Sequence, residues 1–568
     1  MFSVDTLAAE FLPRLQHVPG CKAVLRYLLH EQAFIDFAAE YPHLRGLDFV
    51  EQVLEYFHFH VQVHEQELEH IPATGPVVIV ANHPIGSLDG LALLRLVCRL
   101  RPDTRIVANQ LLARIEPLSS LLLPVDNLGG RTGRAQLSAL QHHLGTGGVV
   151  IIFPAGEVSR LGATGIRDGR WHASFIRFAI RARADIVPIH LEGRNSTFFY
   201  LSSLLYRPLS GVLLVREMFR QRNRQVSLRI GRPVAWQHCR RSGVSDKGLA
   251  MLFRSHLYHI GKGKSGLFET QIAIAPPEPR QVLKKAVEKC ELLGSTRDGK
   301  AIYLAQRDPS GHCVILREIG RLREMAFRAV GEGTGKRRDL DPFDDDYYQL
   351  LLWDPQELEV IGAYRFVPAA QQLARHSTNG LYTQQLFEFD EAMSPYLEQG
   401  IELGRSFIQP AYQGRRSLDY LWFGIGAFLA RHPQYRYLFG PVSLSASLPV
   451  AARDLMVAFY RLYFPAQGKL ARSRRPLPAS PDHLLNAFTG NDYRQDLQHL
   501  KQRLDHLGVA IPTLYKQYAE LCEPGGVQFI DFGTDPDFAD CVDGLVMVDL
   551  ARLKPERYRR YIAPHAGE

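Results

Sequence analysis

The run GPVVIVANHPIGSLDGLALLRLVCRL, residues Gly75–Leu100, falls into three pieces with different physics. Its opening is a short β-branched stretch bounded by Gly and Pro, which predicts a strand buried on both faces. Its end, from Gly90 to Leu100, repeats apolar residues at helical spacing. The polar loop between them sets His83 at the mouth of the strand and Asp89 at the start of the helix. The same theme continues downstream. GGVVIIFPAGE (Gly147–Glu157) reads as a second strand entering a loop, and SFIRFAIRARADIVPIHLEG (Ser174–Gly193) as a helix followed by a third strand. Strands alternating with helices predict an α/β domain. Ahead of it, residues 1 to about 70 read as helices, with Leu7, Phe11, Leu15 and then Val24, Leu25, Leu28 and Leu29 at helical spacing.

The loops carry the chemistry. A hydroxyl is a weak nucleophile near neutral pH and needs a base as it attacks a thioester carbonyl. Neutral His83 suits that task, and Asp89 suits holding the ring tautomer and stabilising the imidazolium that forms. In FPAGEVSR (Phe153–Arg160), Gly156 permits a sharp turn, while Glu157 and Arg160 place charge beside it. A guanidinium at Arg160 matches a phosphate or carboxylate bidentately. The apolar IVPIH strand (Ile186–His190) suits the wall of an acyl channel.

These blocks, in this order, resemble the lysophospholipid (glycerolipid) acyltransferase family over about residues 65 to 240, through its NHxxxxD, FPEGxRS and VPI motifs. LLPVDNLGGRTGR (Leu122–Arg134) resembles the block before the family's substrate-binding residues and brings in Arg131 as a candidate. The resemblance implies catalysis by His83 and Asp89, with Gly156, Glu157, Arg160 and Arg131 around the substrate. Two departures stand out. Five residues separate His83 from Asp89 where the family has four, as in a branch labelled hemolysin-related acyltransferases, and the motif glutamate is displaced to Glu157. The altered block points to an acceptor other than plain glycerol phosphate. Phe198–Arg224, apolar with a basic end, fits either a segment lying in a membrane interface or a helical hairpin packed on the core.

Past GKGKSG and APPEPR a second α/β domain begins. The expected division is 1–262, a linker at 263–284, and 285–568. YQLLLWD (Tyr348–Asp354), LEVIGAYRFV (Leu358–Val367), GIELGRSFIQP (Gly400–Pro410) and YRYLFGPVSLS (Tyr435–Ser445) read as strands, and SLDYLWFGIGAFLARHP (Ser417–Pro433) as an amphipathic helix. The strand, loop and helix from Glu402 to Ile425 resemble the cofactor junction of the acetyltransferase (GNAT) superfamily. They are most similar to ornithine N-acyltransferases and, more distantly, to acyl-homoserine lactone synthases. That resemblance implies a mixed central sheet and a catalytic or ammonium-binding Glu402. It also implies an Arg405 that pairs with a carboxylate or fixes the loop, and a pantetheine-binding loop at Gln413, Gly414, Arg415 and Arg416. Bulk at Arg416 and Leu418 obstructs a CoA pyrophosphate. The implied donor is therefore an acyl carrier protein thioester, with no tightly bound cofactor, its acidic surface met by Arg415 and Arg416. Tyr515–Leu550 resembles the end of the ornithine acyltransferases. Its acidic residues Asp531, Asp535, Asp537, Asp540 and Asp543 lack calcium-loop spacing and read as a solvated turn rather than as the rim of a pocket for a cationic amino acid.

With 568 residues the chain exceeds one core, and its 46% hydrophobic and 22% charged residues are those of a folded protein. A net charge of +8 suits an anionic partner, a membrane lipid surface or an acidic carrier protein. No zinc-finger or Arg–aromatic signature supports nucleic acid. The seven dispersed cysteines argue for a reducing compartment and against a metal site. The start lacks a signal-peptide pattern and no window offers a spanning helix. The expectation is a cytoplasmic protein, peripheral on the inner face of the cytoplasmic membrane. Together the halves resemble bifunctional ornithine lipid synthases of bacteria. That likeness implies N-acylation of ornithine in the second domain and O-acylation of the lyso product in the first. The alternatives are another amino acid such as glycine, a C-terminal half that only binds the carrier, or a non-enzymatic surface protein.

Overall fold

The computed structural model describes residues 26–27, 29–86, 88–109, 115–125, 134–162, 165–205, 209–239, 243–306, 313–376, 380–414, 417–478, 488–538 and 540–565. The chain forms two compact units that divide between Pro276 and Pro277.

The first unit is built on a sheet of seven strands. These are β1 (His60–Gln62), β2 (Val77–Ala81), β3 (Thr104–Asn109), β4 (Leu122–Val125), β5 (Val149–Ile152), β8 (Asp185–Glu192) and β9 (Gln225–Ile230); between β5 and β8 a hairpin of β6 (Arg160–Gly162) and β7 (Gly165–Arg167) stands apart. The sheet order is β1-β9-β8-β2-β5-β3-β4. All neighbours run parallel except β8 and β9. A parallel strand needs cover on both faces. Val77, Ile79 and Ala81 therefore pack into one apolar layer with the helices Gly46–Tyr56 and Leu88–Leu100, while Val78 and Val80 pack into the other with Ser174–Ala182 and Asp246–Gly261. The predicted strands and helices of this unit are present. Helices Glu31–Glu40, Gly46–Tyr56 and Glu65–Leu68 lie in the expected helical segment, but β1 interrupts it. β1 has only three residues and takes its conformation from its pairing with β9, which no local pattern announces. Leu7, Phe11, Leu15, Val24, Leu25 and Leu28 lie outside the described residues.

Residues expected as linker belong partly to the units. Phe268 is buried and stacks on Phe253, Ala273 and Ala275 are buried, and a helix already begins at Arg280.

The second unit is built on an eight-stranded sheet. Its strands are β10 (Glu291–Ser295), β11 (Ala301–Ala305), β12 (Tyr348–Asp354), β13 (Glu359–Pro368), β15 (Gly400–Ile408), β16 (Tyr437–Leu444), β18 (Val527–Asp535) and β19 (Cys541–Asp549), in the order β10-β11-β12-β13-β15-β16-β19-β18. A small ladder of β14 (Phe387–Phe389) and β17 (Ala471–Ser473) lies beside it. Helices Ser417–Arg431 and Val450–Tyr463 cover one face, and Arg280–Val287 and Val314–Ala329 the other.

One pair in this sheet is parallel. β15 and β16 are joined only from Gly400 to Glu402 and from Tyr437 to Phe439. At the next position the backbones are so close that a Cβ on Gly440 would lie 2.0 Å from the Leu403 carbonyl oxygen, so only glycine fits. Beyond it the strands part, β15 staying with β13 and β16 with β19.

In the first unit, the side chain of Asn82 carries the ladder between β2 and β8 one step beyond Ala81. Its amide donates to the Leu191 carbonyl and accepts from the Leu191 N–H, both at 2.8 Å, and the residue is 3% exposed. His83 follows directly. Asn82→Leu removes both bonds and leaves two buried backbone groups unpaired. It should destabilise the first unit by roughly 2 kcal/mol or more, read as a lower urea midpoint for that unit.

Candidate active sites

In the first unit the loop between β2 and the helix Leu88–Leu100 brings His83 and Asp89 together, with His83 Nδ1 3.1 Å from Asp89 Oδ2. The extra residue between them is absorbed in a turn at Gly86, which has φ +97°; a Cβ there would lie 2.5 Å from Val158 Cγ2. The Asp89 carboxylate is wholly buried on the first helical turn and accepts the N–H groups of Ile85, Gly86 and Gly90. Burial alone would raise its pKa; the His83 ring and these amides outweigh it and hold it below the ordinary range. Because Asp89 is ionised, the proton of His83 sits on Nδ1 and the Nε2 lone pair points away. Burial pulls His83 down, but the Asp89 charge and hydrogen bond, helped by Asp168, set it above its ordinary value. The ring stacks on Phe153 at 4.1 Å and keeps 18% of its surface exposed. Among the described residues no group hydrogen-bonds Nε2. The arrangement leaves a histidine with a fixed tautomer and a free face, suited chemically to act as a base.

The FPAGEVSR loop is tied to the histidine. Ser159 N–H donates to the His83 carbonyl at 2.8 Å. Gly156 has φ +67°, as a sharp turn requires. Arg160 is paired with Glu157 at 2.9 Å, so the displaced glutamate neutralises the guanidinium expected to grip an anion. Ile186, Val187 and Ile189 of the IVPIH strand are fully buried in the core of the sheet. Phe198–Arg224 contains two helices, Thr197–Leu205 and Leu209–Arg220, with Phe198 and Leu201 exposed. Arg131 lies outside the described residues.

Asp168 escaped the sequence reading. It is 2% exposed and accepts the His83 N–H at 3.2 Å, the Ser159 hydroxyl at 2.6 Å and the Trp171 indole N–H at 2.9 Å. It thereby fastens the histidine loop to the FPAGEVSR loop. The one available signal was a lone acid next to a tryptophan in GIRDGRW (Gly165–Trp171).

In the second unit the strand–loop–helix junction is as expected: β15, a short turn at Pro410–Tyr412, then the helix Ser417–Arg431. Gln413 donates to the Ile408 carbonyl at 3.2 Å, and Gly414 has φ +78°. Arg415 and Arg416 lie outside the described residues. Glu402 is 1% exposed and accepts the Tyr347 hydroxyl and the N–H groups of Tyr382 and Thr383. It anchors the turn that carries Tyr382 and does not itself line the neighbouring cavity. Burial raises its pKa against these donors.

That cavity, of ≈ 110 Å³, occupies the gap where β15 and β16 part, with Arg405 and Ser406 on one side, Pro441 to Ser443 on the other, and Tyr382, Glu332 and Asp543 around it. β15 bulges at Arg405, whose φ is +52°. A non-glycine residue in this region is strained, and a bulge re-aims its side chain. The guanidinium lies 4.7 Å over the Phe538 ring and 5.3 Å over the Tyr382 ring.

Behind the cavity runs a buried ion network that the sequence reading also missed. Asp344 takes Arg323 at 3.1 Å and Arg365 at 3.2 Å, Asp341 takes Arg365 at 2.6 Å, and Asp339 takes Arg405 at 3.4 Å. Burial pushes Asp344 up, but the two guanidinium groups bring it down to about 2. Among the described residues, the acidic cluster near the end is a solvated turn only at Asp540, which is exposed in the turn between β18 and β19. Asp535 and Asp543 are 1% and 3% exposed, on β18 and β19, and Asp531 holds the Ser473 N–H at 2.7 Å. Their strands close the sheet beside β16, which places carboxyls inside it. The side chain of Asp537 lies outside the described residues.

Comparison with known proteins agrees with both halves. The Acyltransferase family model matches residues 6–262, and the Acetyltransferase (GNAT) domain model matches 322–423. The chain is 34% identical over 263 residues to a glycine N(alpha)-acyltransferase of Phocaeicola vulgatus, across 44% of this chain and 80% of that one. It is 30% identical over 220 residues to the lyso-glycine lipid O-acyltransferase of the same organism, across 38% and 78%. It is 29% identical over 173 residues to an L-ornithine N(alpha)-acyltransferase of Brucella abortus, across 25% and 59%. The chain is thus an acyltransferase that belongs to two families at once, Acyltransferase through its first half and acetyltransferase (GNAT) through its second.

Proposed function

We propose that this chain performs both acylations that build an amino-acid lipid. The second unit transfers a 3-hydroxyacyl group from an acyl carrier protein to the α-amine of ornithine. The amine nitrogen bonds to the thioester carbonyl carbon, the C–S bond breaks, the carrier's phosphopantetheine thiol leaves, and the amine gives up a proton. The first unit then acylates the 3-hydroxyl of the lyso product. His83 Nε2 takes the hydroxyl proton as its oxygen bonds to the carbonyl carbon of a second thioester, Asp89 stabilises the imidazolium, and as the C–S bond breaks the imidazolium returns the proton to the leaving thiolate. The observation that carries this reading is the His83–Asp89 pair with Nε2 outward, on a chain that also bears a GNAT unit. In Phocaeicola vulgatus the matching N- and O-acyltransferases are two proteins. Joining them keeps the lyso intermediate at a raised effective concentration.

Arg160, already neutralised by Glu157, fits an acceptor without a phosphate. Glu402 acts in this scheme through the Tyr382 turn it anchors. Glycine is the second reading for the amino acid, favoured by the higher identity of the glycine relatives. The exposed Phe198 and Leu201, with Arg216 against the Phe198 ring, support a peripheral position on the inner face of the cytoplasmic membrane. No helix among the described residues is long and apolar enough to cross a membrane.

Lipid mass spectrometry in a bacterial host lacking aminolipids tests the scheme. Wild type should produce the diacylated lipid, His83→Ala should accumulate the lyso form, and Glu402→Ala should give neither. Diacyl product from His83→Ala would overturn the assignment of the first unit.

The pH profile of O-acylation checks the base. His83 must be neutral to act, and its pKa is raised above its ordinary value of about 6.5. The acidic limb of kcat/KM should therefore lie above pH 6.5. In Asp89→Asn the raising charge is gone while burial remains, so the limb should move to lower pH as the rate falls by roughly 10²–10⁴-fold.

A further inference from the structure

The cavity where β15 and β16 part holds two carboxyl groups, Glu332 and Asp543, and one guanidinium, Arg405. Asp543 is 3% exposed, and its hydrogen-bond donors among the described residues are neutral, the Ser443 hydroxyl at 2.6 Å and the Cys541 thiol at 3.5 Å. Asp535 lies close enough to oppose its charge, and Asp543 in turn opposes the charge on Glu332. Among the described residues neither Asp543 nor Glu332 forms an ion pair. Arg405 is turned toward the Asp339 side, and its buried Nε has no hydrogen-bond partner although nine-tenths of the side chain is covered. A buried carboxylate is costly unless a cation meets it. Here burial and the neighbouring acids raise both Glu332 and Asp543 to about 7. The cavity is therefore short of positive charge beside the acids and has an unused donor on the guanidinium.

We propose that this cavity binds the acceptor as a diamino acid, with its ammonium groups against Glu332 and Asp543 and its carboxylate against Arg405. The inference rests on the N-acylation reading and deepens it. An amino acid with one ammonium group neutralises only one of the two acids, and it forfeits that contact when the amine is deprotonated to attack. A second ammonium group on the side chain stays charged through the reaction and holds the ligand while the α-amine reacts. The bulge at Arg405 and the parting of the strands at Gly440 put the carboxylate partner and the two acids around one space.

The test is steady-state kinetics of the purified full-length chain with 3-hydroxyacyl carrier protein and either ornithine or glycine. Wild type should show a KM for ornithine at least about tenfold below that for glycine. Glu332→Gln, which is half-buried, and Asp543→Asn should each raise the ornithine KM by about tenfold or more, the loss expected of a charge-assisted hydrogen bond. The KM for the acyl donor should stay within about twofold, which separates loss of the acceptor site from general damage. A wild-type preference for glycine, or an ornithine KM unmoved in Glu332→Gln, would overturn the inference and leave the N-acylation reading standing. Acylation of neither amino acid would remove that reading and the inference with it.

Discussion

The first unit depends on one carboxylate that is cut off from water and still ionised. Asp89 lies beneath the end of β2, and its surroundings offer an imidazole and three backbone amides in place of solvent. Two of the amides, those of Ile85 and Gly86, come from the loop that must turn sharply to let the aspartate reach the histidine, so the turn that makes the pair also stabilises its charge. This fixes the tautomer of His83 with no need for a side-chain nucleophile. It also explains why the extra residue in the motif is harmless: the turn at Gly86 absorbs it, and the distance that matters, Nδ1 to Oδ2, is 3.1 Å.

Much of the architecture was legible because it rests on local pattern. The apolar run of β2, the helix after it and the junction from β15 to Ser417–Arg431 each declare themselves within about a dozen residues. The expected strands β2, β5, β8, β12, β13, β15 and β16 fell where short apolar runs met turn residues, whereas β1 did not. What escaped depends on partners far away in the chain. Asp168 is 85 residues from His83, and its role exists only once the hairpin of β6 and β7 has folded back. RRDLDPFDDD (Arg337–Asp346) reads as a charged surface loop, yet Asp339 and Asp344 are buried because Arg323, Arg365 and Arg405 come from other elements to meet them. Arg365, in the middle of the apolar strand IGAYRFV, was the visible hint that such acids were needed. The acidic residues of β18 and β19 misled for the same reason, since their burial follows from strand order.

The buried ion network of the second unit bears on the geometry of its cavity. Replacing such pairs by apolar groups is often neutral for stability, so their presence is weak evidence for stability alone. Their placement here serves orientation. Asp339 and Asp341 draw on Arg405 from behind the sheet, Glu402 fixes the turn of Tyr382, and the rings of Tyr382 and Phe538 confine the guanidinium. A left-handed residue in a strand costs on the order of 1 kcal/mol or more and persists only where its surroundings over-determine it. Arg405 has such surroundings in Asp339, Asp341, Tyr382 and Phe538, and faces the cavity on its remaining side.

The two units meet different demands with different chemistry. In the proposed scheme the first unit acylates a lipid hydroxyl, which holds its proton tightly near neutral pH and so needs a base aimed at one oxygen; His83, whose other nitrogen is held by a carboxylate, suits that part. In the same scheme the second unit acylates an amino acid, which arrives charged and whose α-ammonium, titrating above neutral pH, becomes a nucleophile only after losing a proton. Such a substrate asks for recognition of its charges more than for a strong base. A cavity with acids on one wall and a guanidinium on another answers that need, and a donor-saturated glutamate behind it is better suited to holding the wall in place than to accepting the proton. On the proposed reading, the contrast between a free imidazole nitrogen in one unit and two acids without a paired cation among the described residues in the other follows from the acidity of the groups each acylates.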